Sequence, residues 1–173
     1  MANTYEAIAT VTVGSGGAAT MAFSSIPATY TDLVLKMSLR YSASGPQDMR
    51  LTFNGNTSAV YSMRSINAAG SGTPGSASET AQTSTWLGSL QGVTASTFNN
   101  MELYIPNYTS TTTAKSISTD NVNEANQTDA RSFLVAQLWN PATQAAISIL
   151  SISVASGTFV QYSNATLYGI KNS

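Results

Sequence analysis

Apolar side chains recur at every second position in one segment of this chain after another, and no stretch of ten residues carries the spacing of a helical face. The clearest run is 31–41, where Leu33, Leu35, Met37, Leu39 and Tyr41 fall on one side and Lys36, Ser38 and Arg40 on the other. Successive side chains of a strand point to opposite faces, so a period of two marks a half-buried strand. The same pattern places strands at 5–13 (Tyr5, Ala7, Ala9, Val11, Val13), 19–26, 48–54 (Met49, Leu51, Phe53) and 98–105 (Met101, Leu103, Ile105). Asn54-Gly55 tolerates the positive φ of a tight turn and predicts a hairpin from 48–54 into 59–67. Further strands are expected at 113–119, 133–139, 145–155, 159–162 and 164–170.

Two of these have a distinctive character. Residues 133–139 are almost continuously apolar, the pattern of a strand buried on both faces. In 145–155 the alternation changes phase, with Ile147 and Ile149 on one parity and Leu150, Ile152 and Val154 on the other, which predicts a β-bulge near Ile149-Leu150. Residues 68–85 are rich in Ala, Gly, Ser and Thr and lack an apolar period until Trp86, Leu87 and Leu90; they read as a long flexible or interface loop and a candidate for partner contact. Residues 120–130 read as a polar, turn-rich link with room for one helical turn. About nine or ten strands without a connecting helix imply an all-β antiparallel sandwich, jelly-roll-like, formed by 1–173 as a single domain.

Composition narrows the chemistry. The chain has no His and no Cys, which removes thiolate catalysis, disulfides and the usual zinc ligands, together with the side chain that titrates near neutrality. Seven basic residues against eight acidic ones give a net charge of -1, and no basic run is available to neutralise a phosphate backbone or an anionic lipid surface. Neither nucleic acid nor a membrane is an expected partner. The polar surface rests on 25 Ser, 23 Thr and 13 Asn, so hydroxyls and amides take the place that charges usually hold. The first residues have no basic flank and no apolar core, and no apolar run reaches the ~18 residues of a membrane helix, so a soluble chain without a signal peptide is expected.

Candidate catalytic groups are sparse. With no His, a nucleophile would need Lys36, Lys115, Lys171 or a carboxylate as its base, and no Ser-x-x-Lys motif is present. Glu6, Glu79 and Glu102 are scattered, and Glu102 falls on the solvated face of its strand; a hydrolase built on Glu102 or Glu124 is the weakest reading. Asp120, Glu124 and Asp129, interleaved with Asn121, Asn123 and Asn126, offer hard oxygen donors but lack the spacing and central Gly of a calcium loop, and a polar loop is the simpler reading. No catalytic, cofactor-binding or metal residues are assigned. Asn-x-Ser/Thr triplets begin at Asn56, Asn107, Asn126 and Asn164, as chance allows in so hydroxyl-rich a chain. Trp139 reads as core, whereas Trp86, beside the long loop, is open between core, subunit interface and ligand contact.

Several stretches, in order, resemble a known group. These are Ile26-Pro27-Ala28-Thr29-Tyr30-Thr31-Asp32-Leu33-Val34-Leu35, Leu51-Thr52-Phe53-Asn54-Gly55-Asn56, Tyr104-Ile105-Pro106-Asn107-Tyr108-Thr109, Leu138-Trp139 and Ala165-Thr166-Leu167-Tyr168-Gly169-Ile170. Over about residues 5–170 the chain resembles small β-rich virion proteins of tailed bacteriophages, common among those infecting cyanobacteria and other aquatic bacteria. The resemblance implies a capsid decoration (cement) subunit with a jelly-roll fold, commonly trimeric, made in the host cytoplasm and seated on the major capsid protein at the outer surface of the head. Related modules at the ends of tail fibres imply an alternative, a tip that binds host-surface glycans. Under either implication the chain needs no cofactor.

Overall fold

The computed structural model describes residues 4–43, 45–70, 72–90, 96–124 and 130–171. Twelve strands are found among them: β1 (Tyr5–Thr12), β2 (Thr20–Phe23), β3 (Asp32–Leu39), β4 (Gln47–Phe53), β5 (Tyr61–Ala69), β6 (Gly75–Gln82), β7 (Thr85–Leu90), β8 (Asn99–Ile105), β9 (Lys115–Asn123), β10 (Arg131–Trp139), β11 (Leu150–Val154) and β12 (Asn164–Ile170). All pairings are antiparallel and form two sheets, β1-β12-β3-β8-β9-β10-β5-β6 and β2-β11-β4-β7. The protein is therefore an all-β sandwich of eight and four strands, with more strands than the nine or ten expected.

Its plan is simpler than the count suggests. Without β5, β6, β9 and β10, two four-stranded sheets remain, β1-β12-β3-β8 facing β2-β11-β4-β7, which is the strand order of a jelly roll. The two extra hairpins, β5-β6 and β9-β10, join one another and extend the first sheet beyond β8 into a wing. Alternation builds the common core: Leu33, Leu35, Met37 and Leu39 of β3 meet Met49, Leu51 and Phe53 of β4 and Leu150 and Ile152 of β11. Of the small sheet, β4 touches the wing through Phe53, which packs on Tyr61 and Trp139, and through Arg50, and the edge strand β7 reaches over β5, β9 and β10. There Trp86 packs edge-on against Phe133 (5.2 Å, 89°) in a separate cluster with Met63 and Val135.

Several expectations are corrected by the tertiary arrangement. The Asn54-Gly55 turn exists, with φ of 51° and 65° and the Asn56 N–H donating to Phe53 O at 2.9 Å, but it does not make a hairpin. β4 lies between β11 and β7, and β5 between β10 and β6, so residues 54–60 carry the chain from one sheet to the other. Asn54 is used as an anchor: its Oδ1 accepts from Ser148 N (2.9 Å) and Ile149 N (3.0 Å), while its Nδ2 donates to Ala146 O (2.7 Å). Those bonds hold 145–149 out of regular strand geometry. The change of apolar phase at Ile149-Leu150 is thus the start of β11, and no bulge interrupts a longer strand.

The supposed loop at 68–85 holds the end of β5, all of β6 and the start of β7. β6 escaped the periodicity argument because it is an edge strand of small polar residues, held by its backbone ladder to β5 and by the fork of Arg50, whose Nη1 and Nη2 donate to Glu79 at 2.6 and 3.1 Å. β9 runs through Asn123, so 120–123 is strand; 125–129 lie outside the described residues. Residues 159–162 contribute only isolated bridges from Phe159 to Ala18 and Tyr41. In β1 a bulge between Ala7 and Ala9 lets Ile8 and Val11 reach the core and turns Tyr5 outward against Tyr168 (6.1 Å). β10, finally, alternates: Phe133, Val135 and Trp139 are buried, whereas Leu134 is open to solvent.

Candidate binding surface

The outer face of the eight-stranded sheet is set by register. One row across it runs Thr166, Lys36, Glu102, Asp120, Leu134, Ile66 and Ser76, each directly opposite the next. The adjacent rows carry Tyr168, Val34, Tyr104, Ser118, Ala136 and Arg64 on one side, and Asn100, Val122, Ser132 and Ala68 on the other. Over the jelly-roll strands this face is ordinary. Val34 is covered between Tyr104 and Tyr168, and the Tyr104 hydroxyl donates to Asp32 Oδ2 at 2.8 Å. Asp32 also accepts from Asn107 N at 2.9 Å, which fixes the turn after β8 and holds the Tyr104 phenol in its neutral form, its pKa raised by that carboxylate first.

Over the wing the face changes. Ile66, Leu134 and Val122 are 62, 55 and 42 % exposed and adjoin one another, since Leu134 is opposite Ile66 and Val122 is its diagonal neighbour on β9. Beside them Glu102 and Asp120 face each other as a cross-strand pair of like charge. Lys36 reaches Glu102 (3.1 Å), and this pairing raises the lysine pKa. Asp120 has neither an ion-pair nor a hydrogen-bond partner among the described residues. Two hollows lie here and share Asp120, Val122 and Leu134: one of about 350 Å³ with Asn100, Glu102 and Tyr104 on its walls, one of about 570 Å³ with Ile66, Pro74 and Ser132.

The other groups singled out in the sequence are dispersed. Lys36 is paired with Glu102, Lys171 lies over the Tyr30 ring (5.4 Å), and Lys115 is buried with Nζ donating to Ser110 O (2.7 Å) and Thr113 O (2.8 Å), 5.9 Å from the Trp139 ring. Burial lowers the Lys115 pKa. Glu79 is bound to Arg50, and Glu6 sits beside the Tyr30 hydroxyl. The acidic cluster is divided by the pleat: Asp120 points outward while Asn121 and Asn123 are buried between the sheets, and Asn126 and Asp129 lie outside the described residues. Among the described residues no three His, Cys, Asp or Glu side chains converge as metal ligands. Trp86 and Trp139 are both core, Trp139 tilted against Phe53 at 5.4 Å.

Sequence reasoning missed the apolar patch and the Glu102–Asp120 adjacency. Leu134 was absorbed into an apolar run, Ile66 lies off the parity of Tyr61 and Met63, and Val122 stands alone among asparagines. An apolar residue on the wrong parity of a strand was the available signal; which strand lies next to which was not. No family model matches the chain, and no similar protein was found among curated sequences or solved structures.

Proposed function

We propose that the protein is a non-enzymatic structural subunit of a tailed-bacteriophage virion, a decoration protein that seats on the major capsid protein at the outer surface of the head and stabilises the shell as a homotrimer. The observation that carries this reading is the bare apolar patch of Ile66, Val122 and Leu134 on an open sheet face, in a chain whose Lys36, Lys115 and Lys171 lie at separate places. Contiguous exposed apolar side chains of this kind mark an interaction surface. The ordered motifs that resemble virion proteins, and the jelly-roll strand order, support the same class. A cement subunit acts by mass action, since binding only the assembled shell stabilises it, and low charge keeps that attachment insensitive to salt. Three-fold assembly multiplies weak contacts through effective concentration. Mass spectrometry of purified particles tests the reading. A decoration subunit is expected at on the order of hundreds of copies per particle, as shell symmetry requires. Absence from particles would sink it.

A second reading, a tail-fibre or spike tip that binds host glycans, is favoured by one feature, the smaller hollow walled by Asn100, Glu102, Tyr104 and Asp120. It predicts only a few to roughly tens of copies per particle and binding to an oligosaccharide array by the isolated chain.

A further inference from the structure

The wing sorts its side chains less cleanly than the rest of the sandwich: Met63, Phe133 and Val135 are buried, but polar groups share the interior and aliphatic ones lie outside. Its inward positions include Ser65, Thr119, Asn121, Asn123 and Gln137, all buried, while Ile66, Val122 and Leu134 point to solvent. Interior amides are tolerated when their hydrogen bonds are made, and Gln137 does so, with Nε2 donating to Trp86 O at 2.9 Å and sharing a bond with Thr119. Asn121, with no exposure, leaves both side-chain polar atoms without a partner. A sheet that places amides inside and aliphatic side chains outside gains little from folding alone at these positions. The sequence of β10, apolar on both parities, is that of a strand covered on both faces, yet the folded chain covers one.

We propose that the outer face of β9, β10 and β5 is a docking groove for an extended segment of a partner protein that presents an arginine or lysine two residues from an aliphatic side chain. Charge complementarity selects the occupant. Glu102 is balanced by Lys36, but Asp120, directly opposite Glu102, is not, and like charges at opposed positions destabilise a sheet until a cation joins them. Asp120 faces Leu134, which faces Ile66, so the acid and the far aliphatic are two strand spacings apart, about 10 Å. A segment crossing the strands advances roughly 7 Å in two residues. A cation over Asp120 thus sets the side chain two positions on between Leu134 and Ile66, and the two joined hollows accommodate both. A glycan fits less well, because sugar rings stack on exposed aromatic faces, whereas the larger hollow is walled by Ile66, Pro74, Val122 and Leu134 and its one aromatic, Phe133, is buried, which leaves Tyr104 of the smaller hollow as the exposed ring. That the partner belongs to the head shell rests on the function proposed above; the groove's chemistry does not.

The test uses the full chain, isotope-labelled for NMR, and a capped Ser-Arg-Ser-Leu-Ser-Leu peptide. Amide shifts confined to β5, β9 and β10 are expected, with affinity falling about tenfold or more when the peptide's Arg is replaced by Glu or when Asp120→Asn removes the charge, the order expected of one charge-assisted contact. The double variant Ile66→Ser with Leu134→Ser should lose binding to a similar degree with its melting temperature unchanged, because both side chains are exposed. Equal binding of the Glu peptide, absence of shifts on this face, displacement of the peptide by maltohexaose, or a change of oligomeric state in the double variant with peptide binding intact would each overturn the proposal. Peptide binding by a chain absent from particles would sustain the groove and remove the shell as its partner. Particle association that survives the double variant together with Asp120→Lys would overturn the groove and leave the shell reading standing.

Discussion

The jelly-roll half and the wing share one continuous sheet, yet they are stabilised in different ways. In β3, β8 and β12 every inward position from Leu33 to Leu39, from Met101 to Ile105 and at Ala165 and Leu167 is apolar and buried, and the outer face carries hydroxyls, amides and the Lys36–Glu102 pair. In β9, β10 and β5 the lining is mixed, it is covered mainly by β7 with Phe53 of β4 at one end, and unpartnered polar atoms are more numerous there, at Ser65, Thr85, Asn121, Asn123 and Arg131 against Arg40 and Asn99 in the jelly-roll half. The first region is built to fold and the second to be covered. Because backbone pairing binds them in one ladder, the jelly roll holds the wing's face in position even though that face contributes little to its own stability.

The largest break in this contrast is expected from Leu35→Asp. The new carboxylate would lie unpaired between the sheets, at a cost of at least about 4 kcal/mol, and circular dichroism should show no cooperative melting. A chain that still melts cooperatively would refute the placement of the core. Next is Gly88→Ala, at the bend where β7 passes over the wing. Gly88 has φ of 113°, and a Cβ there would lie 2.4 Å from Asn121 Nδ2, so a loss of about 2 kcal/mol is expected in urea denaturation. Asn121→Leu should act in the opposite direction, because it replaces an amide that has no partners by an apolar group of similar size. A gain of about 1 kcal/mol is expected; a loss would show that the wing's interior amides are satisfied after all.

The smallest effect is one of pH, and it differs in sign between the two regions. Tyr41, buried in the jelly-roll half with its hydroxyl donating to Gly45 O, has its pKa pushed up to about 12 by desolvation. Its unfolded form ionises near 10, so the stability it contributes is full below pH 10 and is lost as pH rises through 12. Lys115, at the start of β9, has a pKa lowered by burial, so the unfolded chain holds that proton longer and stability rises with pH until 10.5. Urea midpoints measured from pH 8 to 12 should fall less steeply in Tyr41→Phe and lose their lower rising component in Lys115→Met. Identical profiles for both variants and the parent would remove the distinction.

Much of the jelly roll was legible in advance. The alternation in 31–41, 48–54 and 98–105 named strands, faces and core residues correctly, since a side-chain period of two is a local consequence of backbone geometry. β6 was not legible, because an edge strand of Ser, Ala and Gly is held by ladder hydrogen bonds that its own side chains do not announce. Nor was the path after Asn54-Gly55. A turn's residues specify its φ angles, but where the chain goes next depends on the Asn54 anchor to 146–149, more than ninety residues away.

The sequence by itself determined that this protein is layered β-structure, which faces of its central strands are buried, and that neither thiol nor imidazole chemistry is open to it. Only the tertiary structure decided that two inserted hairpins lengthen one sheet, that Asp120 comes to lie beside Glu102, and that Ile66, Val122 and Leu134 meet on an open face. The physical reason is range: periodicity and turn chemistry are set by neighbours along the chain, whereas adjacency on a sheet is set by which distant strands share a hydrogen-bond ladder.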